Sequence, residues 1–101
     1  MIIRVWTADA TPEGAAKSEA RFAEQILPKL KRIDGYQGAF LLRRLVGDQV
    51  ELVLLTRWRS MEAVRAFAGD DIDRAVVAED AAEIMTRWDE RVRHYEVALE
   101  D

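Results

Sequence analysis

The stretch that decides the fold is V-E-L-V-L-L-T-R-W, residues 50–58, because it is apolar on both faces when it is drawn as a β-strand. Side chains alternate across a strand, so one face carries Val50, Leu52 and Leu54, and the other carries Val53 and Leu55. An antiparallel sheet with one face in water alternates apolar and polar residues instead. Both faces of this strand are therefore predicted to be covered.

The N-terminal segment has the same property, with Ile2 and Trp6 opposed to Ile3 and Val5. The chain has one layer of predicted helices, which covers one face of a sheet. A chain of 101 residues is too short to cover the other face itself. The pattern predicts a homodimer in which sheet faces sheet, with a cavity between the two sheets.

Length and composition fit a single domain, residues 1–101, of ordinary globular character. The net charge of −4 and the lack of a basic stripe argue against a nucleic-acid partner. There are no cysteines, which excludes thiolate chemistry. The chain shows neither a signal peptide nor an apolar run long enough to span a membrane. We therefore expect a cytoplasmic protein with no membrane partner.

Periodicity and capping residues predict the order strand, helix, strand, strand, helix, strand. Thr11 and Pro12 suit a helix start, Asp34-Gly35 a helix end, and Gly47-Asp48 a hairpin turn. The predicted elements are strands at 1–7, 36–46, 50–58 and 91–99, long helices at about 11–33 and 60–69, and short helical stretches at 70–77 and 79–87. This order predicts an α+β, ferredoxin-like βαββαβ domain with an antiparallel four-stranded sheet.

The stretch T-R-W-R-S-M-E-A at 56–63, followed by Phe67, resembles the W-x-S-x-E-A…F signature of the antibiotic biosynthesis monooxygenase family. Asp34-Gly35-Tyr36 with Gly38 resembles the family's P-G-Y-x-G entry into the second strand, and 92–97 resembles its last strand. The resemblance implies a dimeric α/β barrel. It also implies a cofactor-independent monooxygenase that acts on a small aromatic or polyketide-type compound in the inter-sheet cavity. The alternative is a non-catalytic dimeric protein of the same fold, which binds a small molecule or is associated with stress.

The haem-degrading branch of this family is not matched at its functional positions. Counted from Trp58, its haem-ligating histidine falls near Val77 and its haem-distorting tryptophan near Phe67. Its first-strand asparagine falls near Trp6 or Thr7. The resemblance therefore does not imply that this chain degrades haem.

His94 is the one histidine of the sequence and the candidate general base, since an imidazole is the side chain whose ordinary pKa lies near neutrality. If Tyr95, Val97 and Leu99 face the helices, His94 and Glu96 face the cavity between the sheets. A structural histidine hydrogen-bonded to a neighbour is the alternative.

Five further residues are candidates for lining a substrate cavity. Arg4 needs a carboxylate partner or a bound anion, and Glu96 is the internal candidate for that partner. The aromatic candidates Trp6, Phe40 and Trp58 fit either a flat aromatic ligand or the core. With one His and no Cys, we expect no metal site and no cofactor.

Overall fold

The computed structural model describes residues 1–77 and 80–101 as one antiparallel sheet covered on one face by helices. Its strands are β1 (Ile2–Ala10), β2 (Tyr36–Val46), β3 (Gln49–Trp58), β4 (Arg87–Trp88) and β5 (Arg93–Glu96). The sheet order is β2-β3-β1, and both β4 and β5 pair with the free edge of β1. This is the ferredoxin-like arrangement that was predicted, with five strands instead of four because the last strand is divided in two.

The first helical segment runs from α1 (Pro12–Arg21) through a π-helical turn (Phe22–Ile26) into α2 (Leu27–Leu30). The Thr11 hydroxyl accepts a hydrogen bond from the backbone N–H of Gly14, as expected of an N-cap. Pro28 has no N–H to donate to Glu24, and the Leu27 N–H instead reaches back to the Phe22 carbonyl. The helix is therefore interrupted next to Pro28 by a π-helical turn.

The remaining helices are α3 (Met61–Ala68) and the short α4 (Ala81–Ile84). Ser60 caps α3 through the Ala63 N–H, and Gly69 ends it at a φ of 83°. A Cβ at Gly14 would collide with the Ile84 carbonyl, so this glycine lets α1 and α4 pack closely. No helix of the described residues is long and apolar enough to cross a membrane.

Three predictions after α3 are wrong. Residues 70–77 form a bend, a turn, a bridge from Arg74 to Arg91 and an irregular stretch instead of a helix, and the backbone N–H of Val92 bonds to the Asp73 carbonyl. The next helix covers only Ala81–Ile84, and the predicted start at Glu79 lies outside the described residues. The last strand is Arg93–Glu96 instead of 91–99. In the first two cases pairing with the chain near residue 91 or with β1 outweighs local helical spacing.

The register of β1 against β3 decides which residues face the helices. The pairs run from Ile2 with Trp58 to Ala10 with Val50 without a break. The even-numbered residues of both strands face the helices, and among them Ala8, Leu52 and Trp58 are fully buried.

The opposite face of the sheet carries no element of the described chain. It presents apolar side chains from all three long strands and from β5, which are Ile3, Val5, Phe40, Leu42, Val53, Leu55 and Tyr95. Phe40 remains 55% exposed on this open face. The two-sided apolar character that the sequence predicted is therefore present in the structure.

The core contribution of the helix-covered face is testable with one leucine pair. Leu52→Ala removes a fully buried side chain, and we expect it to lower the free energy of unfolding by about 2–5 kcal/mol. Leu45→Ala is the matched control, since Leu45 is 70% exposed, and we expect a change within about 0.5 kcal/mol. Urea denaturation measures both. Equal losses for the two variants would contradict the burial of Leu52 in the core.

Candidate functional site

A cavity of about 80 Å³ lies between the helix-covered face of the sheet and the helices. Its walls come from β1, β2, β3, the π-helical turn, α3, α4 and the segments around residues 76–77 and 92. Most of its lining is apolar, and the residues that contribute it are Trp6, Phe22, Ile26, Leu30, Leu41, Leu52, Leu54, Phe67, Val76, Val77, Ile84, Met85 and Val92.

Four polar side chains interrupt this lining, and three of them are each paired with one other group of the protein. The Ser18 hydroxyl donates to the Gly14 carbonyl, the Thr56 hydroxyl accepts from the Trp58 indole, and Arg21 pairs with Asp80. The fourth is Arg4, which is only 5% exposed. It is the more deeply buried of the two arginines that line the cavity.

Arg4 lies in β1 and is held by hydrogen bonds to acceptors on two other segments. Its Nη1 donates to the Ile72 carbonyl at 2.6 Å and to Nε2 of His94 at 2.9 Å, and its Nη2 donates to the Arg74 carbonyl at 2.9 Å. The guanidinium carbon lies 5.7 Å from the centre of the Phe67 ring, within the range of a cation–π contact. Burial lowers the pKa of Arg4, and the charge of Asp73 partly opposes that shift.

His94 lies opposite Arg4 on β5 and is held from both sides. A guanidinium can only donate, so Nε2 of His94 accepts and the ring proton of the neutral form is on Nδ1. Nδ1 lies 3.2 Å from a carboxylate oxygen of Asp73. The pKa of His94 is lowered by burial and by the charge of Arg4, against the raising effect of Asp73. His94 is therefore predominantly neutral at neutral pH.

The residues proposed from the sequence are divided between the two faces of the sheet. Arg4 and Trp6 line the cavity, and the Trp6 indole donates to the Asp89 carbonyl. Trp58 is fully buried and packs against Tyr36 and Phe67. Phe40 lies on the open face. The guanidinium carbon of Arg57 lies over its ring, 5.7 Å from the ring centre.

Two expectations about the last strand are wrong in orientation. His94 pairs with Arg4 and Glu96 with Ile2, so both lie on the helix-covered side, whereas Tyr95 pairs with Ile3 on the open face. Among residues 1–77 and 80–101, Arg4 has no bond to Glu96, which is exposed. The acceptors that Arg4 needs are two backbone carbonyls and His94. The cavity that contains Arg4 and Trp6 thus lies between the sheet and the helices of this chain and not on the open face of the sheet.

The helical wall of the cavity was not among the residues predicted from the sequence to line a site. Phe22, Ile26 and Leu30 recur every four residues, and that spacing is also what a core-facing helix shows. The signal that distinguishes them is Pro28, because the π-helical turn that accompanies it is a feature often found at functional sites.

The positions compared with the haem-degrading branch do line this cavity. They are occupied by Trp6, Phe67 and Val77. Neither Phe67 nor Val77 offers a ligand atom to iron. The one imidazole, His94, is engaged by Arg4 and Asp73. The described lining therefore does not fit a histidine-ligated haem.

A family model described as antibiotic biosynthesis monooxygenase matches residues 1–79, more than half of the chain. The chain belongs to the antibiotic biosynthesis monooxygenase family. This confirms the resemblance seen in the sequence. No curated protein matches the chain.

Three solved structures show how far the likeness extends. A protein from Bacillus cereus that carries the family's name is 21% identical, with 100% of this chain and 94% of the other covered and a TM-score of 0.71. The haem-degrading protein MhuD of Mycobacterium tuberculosis, with two haems in its active site, is 25% identical over 100% and 99%, with a TM-score of 0.66. A monooxygenase of Streptomyces coelicolor in complex with nanaomycin D is 18% identical over 68% and 62%, with a TM-score of 0.54.

The lowered pKa of His94 predicts how stability changes with pH. The unfolded histidine titrates near about 6.5, so between that pH and the lower folded pKa the unfolded chain binds more protons. We expect the free energy of unfolding to fall as the pH drops through this window and to level off below the folded pKa. Urea midpoints measured between about pH 7.5 and 5.5, at one protein concentration, give this slope.

His94→Gln is the control for that slope, because glutamine offers an acceptor oxygen but does not titrate. Carboxyl groups with a lowered pKa change the free energy of unfolding only at pH values of about 4 and below. They are Asp34, Glu51, Asp80 and Asp89. A wild-type curve that is parallel to the His94→Gln curve throughout would contradict the assignment.

Proposed function

We propose that the protein is a cofactor-independent monooxygenase that acts on a small aromatic compound of polyketide type in the cavity between its sheet and its helices. The observation that carries this proposal is an apolar, partly aromatic cavity with one buried guanidinium, Arg4, at its wall. Membership of the family and the structural likeness to a monooxygenase in complex with nanaomycin D support it.

The chemistry needs little more than such a cavity. An anthrone or electron-rich phenol loses a proton, and the resulting carbanion gives one electron to dioxygen. Recombination of the two radicals forms a C–O bond, and loss of water from the hydroperoxide leaves a quinone. In total, one CH₂ group and O₂ become one C=O group and H₂O. The protein excludes water, orients the ring and stabilises the anion electrostatically.

The resting cavity is smaller than such a substrate requires. Sites for drug-sized ligands measure about 300–1,000 Å³, against about 80 Å³ here. Two parts of the wall are not regular secondary structure, namely the π-helical turn (Phe22–Ile26) and the turns at 70–77. Substrate entry in this proposal displaces one of these parts outward.

A non-catalytic protein that binds a small aromatic molecule is the second candidate. The observation in its favour is that both ring nitrogens of His94 have partners, so the resting site holds no free imidazole. The role of His94 as the general base remains a prediction. The two candidates differ in one measurable property, which is the consumption of oxygen.

For the oxygenase we expect oxygen uptake with a hydroxyanthrone or a hydroquinone, without added flavin or metal, at a rate above that of the buffer. Leu54→Trp fills the cavity and should abolish the uptake. Leu45→Trp, at an exposed site, should leave it within about twofold. An oxygen electrode measures the rate. If the aromatic compound raises the melting temperature but no oxygen is consumed, the non-catalytic candidate is favoured.

We also propose that the open face of the sheet is covered by a second copy of the chain. The face combines seven apolar side chains, Ile3, Val5, Phe40, Leu42, Val53, Leu55 and Tyr95, and a patch of this extent is typical of an interface. A stable dimer of this kind buries about 1,500–2,500 Å² in total.

Sedimentation velocity at micromolar concentration should therefore give a dimer. Leu55→Lys places a charge at the centre of the open face, and we expect it to give a monomer, because a buried and unpaired charge is costly. Leu45→Lys is the control and should remain a dimer. A wild-type monomer at this concentration would rule out the dimer.

A further inference from the structure

The hydrogen bonds of Arg4 leave part of its guanidinium available. An arginine has five N–H groups, and three of them are used, on Ile72, Arg74 and His94. Within residues 1–77 and 80–101, the Nε–H and the second hydrogen of Nη2 have no acceptor. Arg4 lines the cavity, whose other walls are mainly apolar. The residue that carries these available donors therefore borders the space that a ligand would occupy.

The charges around Arg4 also leave room for an anion. Asp73 is the nearest carboxylate in the network, but it bonds to the far side of the His94 ring and its side chain is 61% exposed. The acceptors that contact Arg4 directly are two neutral carbonyls and a neutral imidazole. A buried cation without a direct counter-ion is costly. An oxyanion in the cavity would offset that cost.

His94 controls where the guanidinium is placed. Its Nε2 accepts from Nη1 of Arg4, and its Nδ1 is held by Asp73. Because both ring nitrogens have partners, the ring is a fixed acceptor that holds the guanidinium of Arg4 beside the cavity. Any residue with an acceptor atom at the same place would serve this purpose, whereas a base must also take up a proton.

We propose that Arg4 binds the phenolate or enolate oxygen of an aromatic ligand, and that His94 is a positioning residue that holds Arg4 for this contact. The inference rests on the proposed function in one respect, that an aromatic ligand enters the cavity. Stabilising the anion acidifies the substrate, so its proton passes to water instead of to His94. The flat ring of such a ligand suits walls built from Trp6, Phe22 and Phe67.

The test compares two probes that differ in one group, 2-hydroxy-1,4-naphthoquinone as its anion and 2-methoxy-1,4-naphthoquinone. We expect wild type to bind the hydroxy compound about 10- to 100-fold more tightly, the range of a charge-assisted hydrogen bond. Isothermal titration calorimetry gives both dissociation constants. Equal affinity for the two probes, or no binding of either, overturns the proposal without the use of any variant.

Variants then test whether Arg4 causes the preference for the hydroxy compound over the methoxy compound. Arg4→Met should abolish it and leave the affinity for the methoxy compound unchanged. Arg21→Met is the matched control, since Arg21 also lines the cavity but pairs with Asp80, and it should keep the preference. Loss of the preference in Arg21→Met with retention in Arg4→Met would assign the anion to Arg21 and overturn the proposal.

His94 variants separate a positioning residue from a base. His94→Gln retains an acceptor and should keep both the preference and the oxygen uptake within a few-fold, whereas His94→Leu should reduce the preference. A fall in turnover of about 10²–10⁴ in His94→Gln, with an unchanged preference, would make His94 the base instead. A clear preference for the anion without any oxygen uptake would support Arg4 as the anion site and contradict only the oxygenase.

Discussion

The pairing of β1 with β3 is the constraint on which the rest of the structure depends. Nine residues of each strand pair without a bulge, from Ile2 with Trp58 to Ala10 with Val50. A slip of one residue in either strand would exchange its two faces. It would move Arg4 or Leu54 from the cavity to the open face. Both sites of interest, the cavity inside the subunit and the apolar face outside it, follow from this register.

The same register places Arg4, a charged side chain, on the buried side of the sheet. An apolar side chain at this position would pack without directional needs, but a buried guanidinium requires acceptors. The structure supplies them from residues 72 and 74 and from β5. One charged group thus fixes the turns at 70–77 and the position of His94. Val76 and Val77, which line the cavity, belong to the same stretch, so the cation and part of the cavity wall are mechanically linked.

Structural elements were predicted correctly from the sequence where the local pattern and the tertiary contacts favour the same structure. The hairpin at Gly47-Asp48, the cap at Thr11 and the two-sided strands were all predicted correctly. They depend on alternation, on backbone conformation and on side-chain oxygens that act within a few residues. The turns at 70–77 could not be predicted in this way, because their conformation depends on Arg4, 68 residues before Ile72.

The predicted orientation of β5 was wrong for a related reason. With apolar residues assumed to face the helices, Tyr95 and Val97 were assigned inward, and His94 outward. Arg4 reverses that choice, since its demand for an acceptor outweighs the burial of one tyrosine, which instead joins the open face. Two of the errors, at 70–77 and at His94, therefore lie next to one buried charge. Local rules fail most often where a protein carries a functional constraint. That concentration of errors is a reason, separate from the shape of the cavity, to look for function at Arg4.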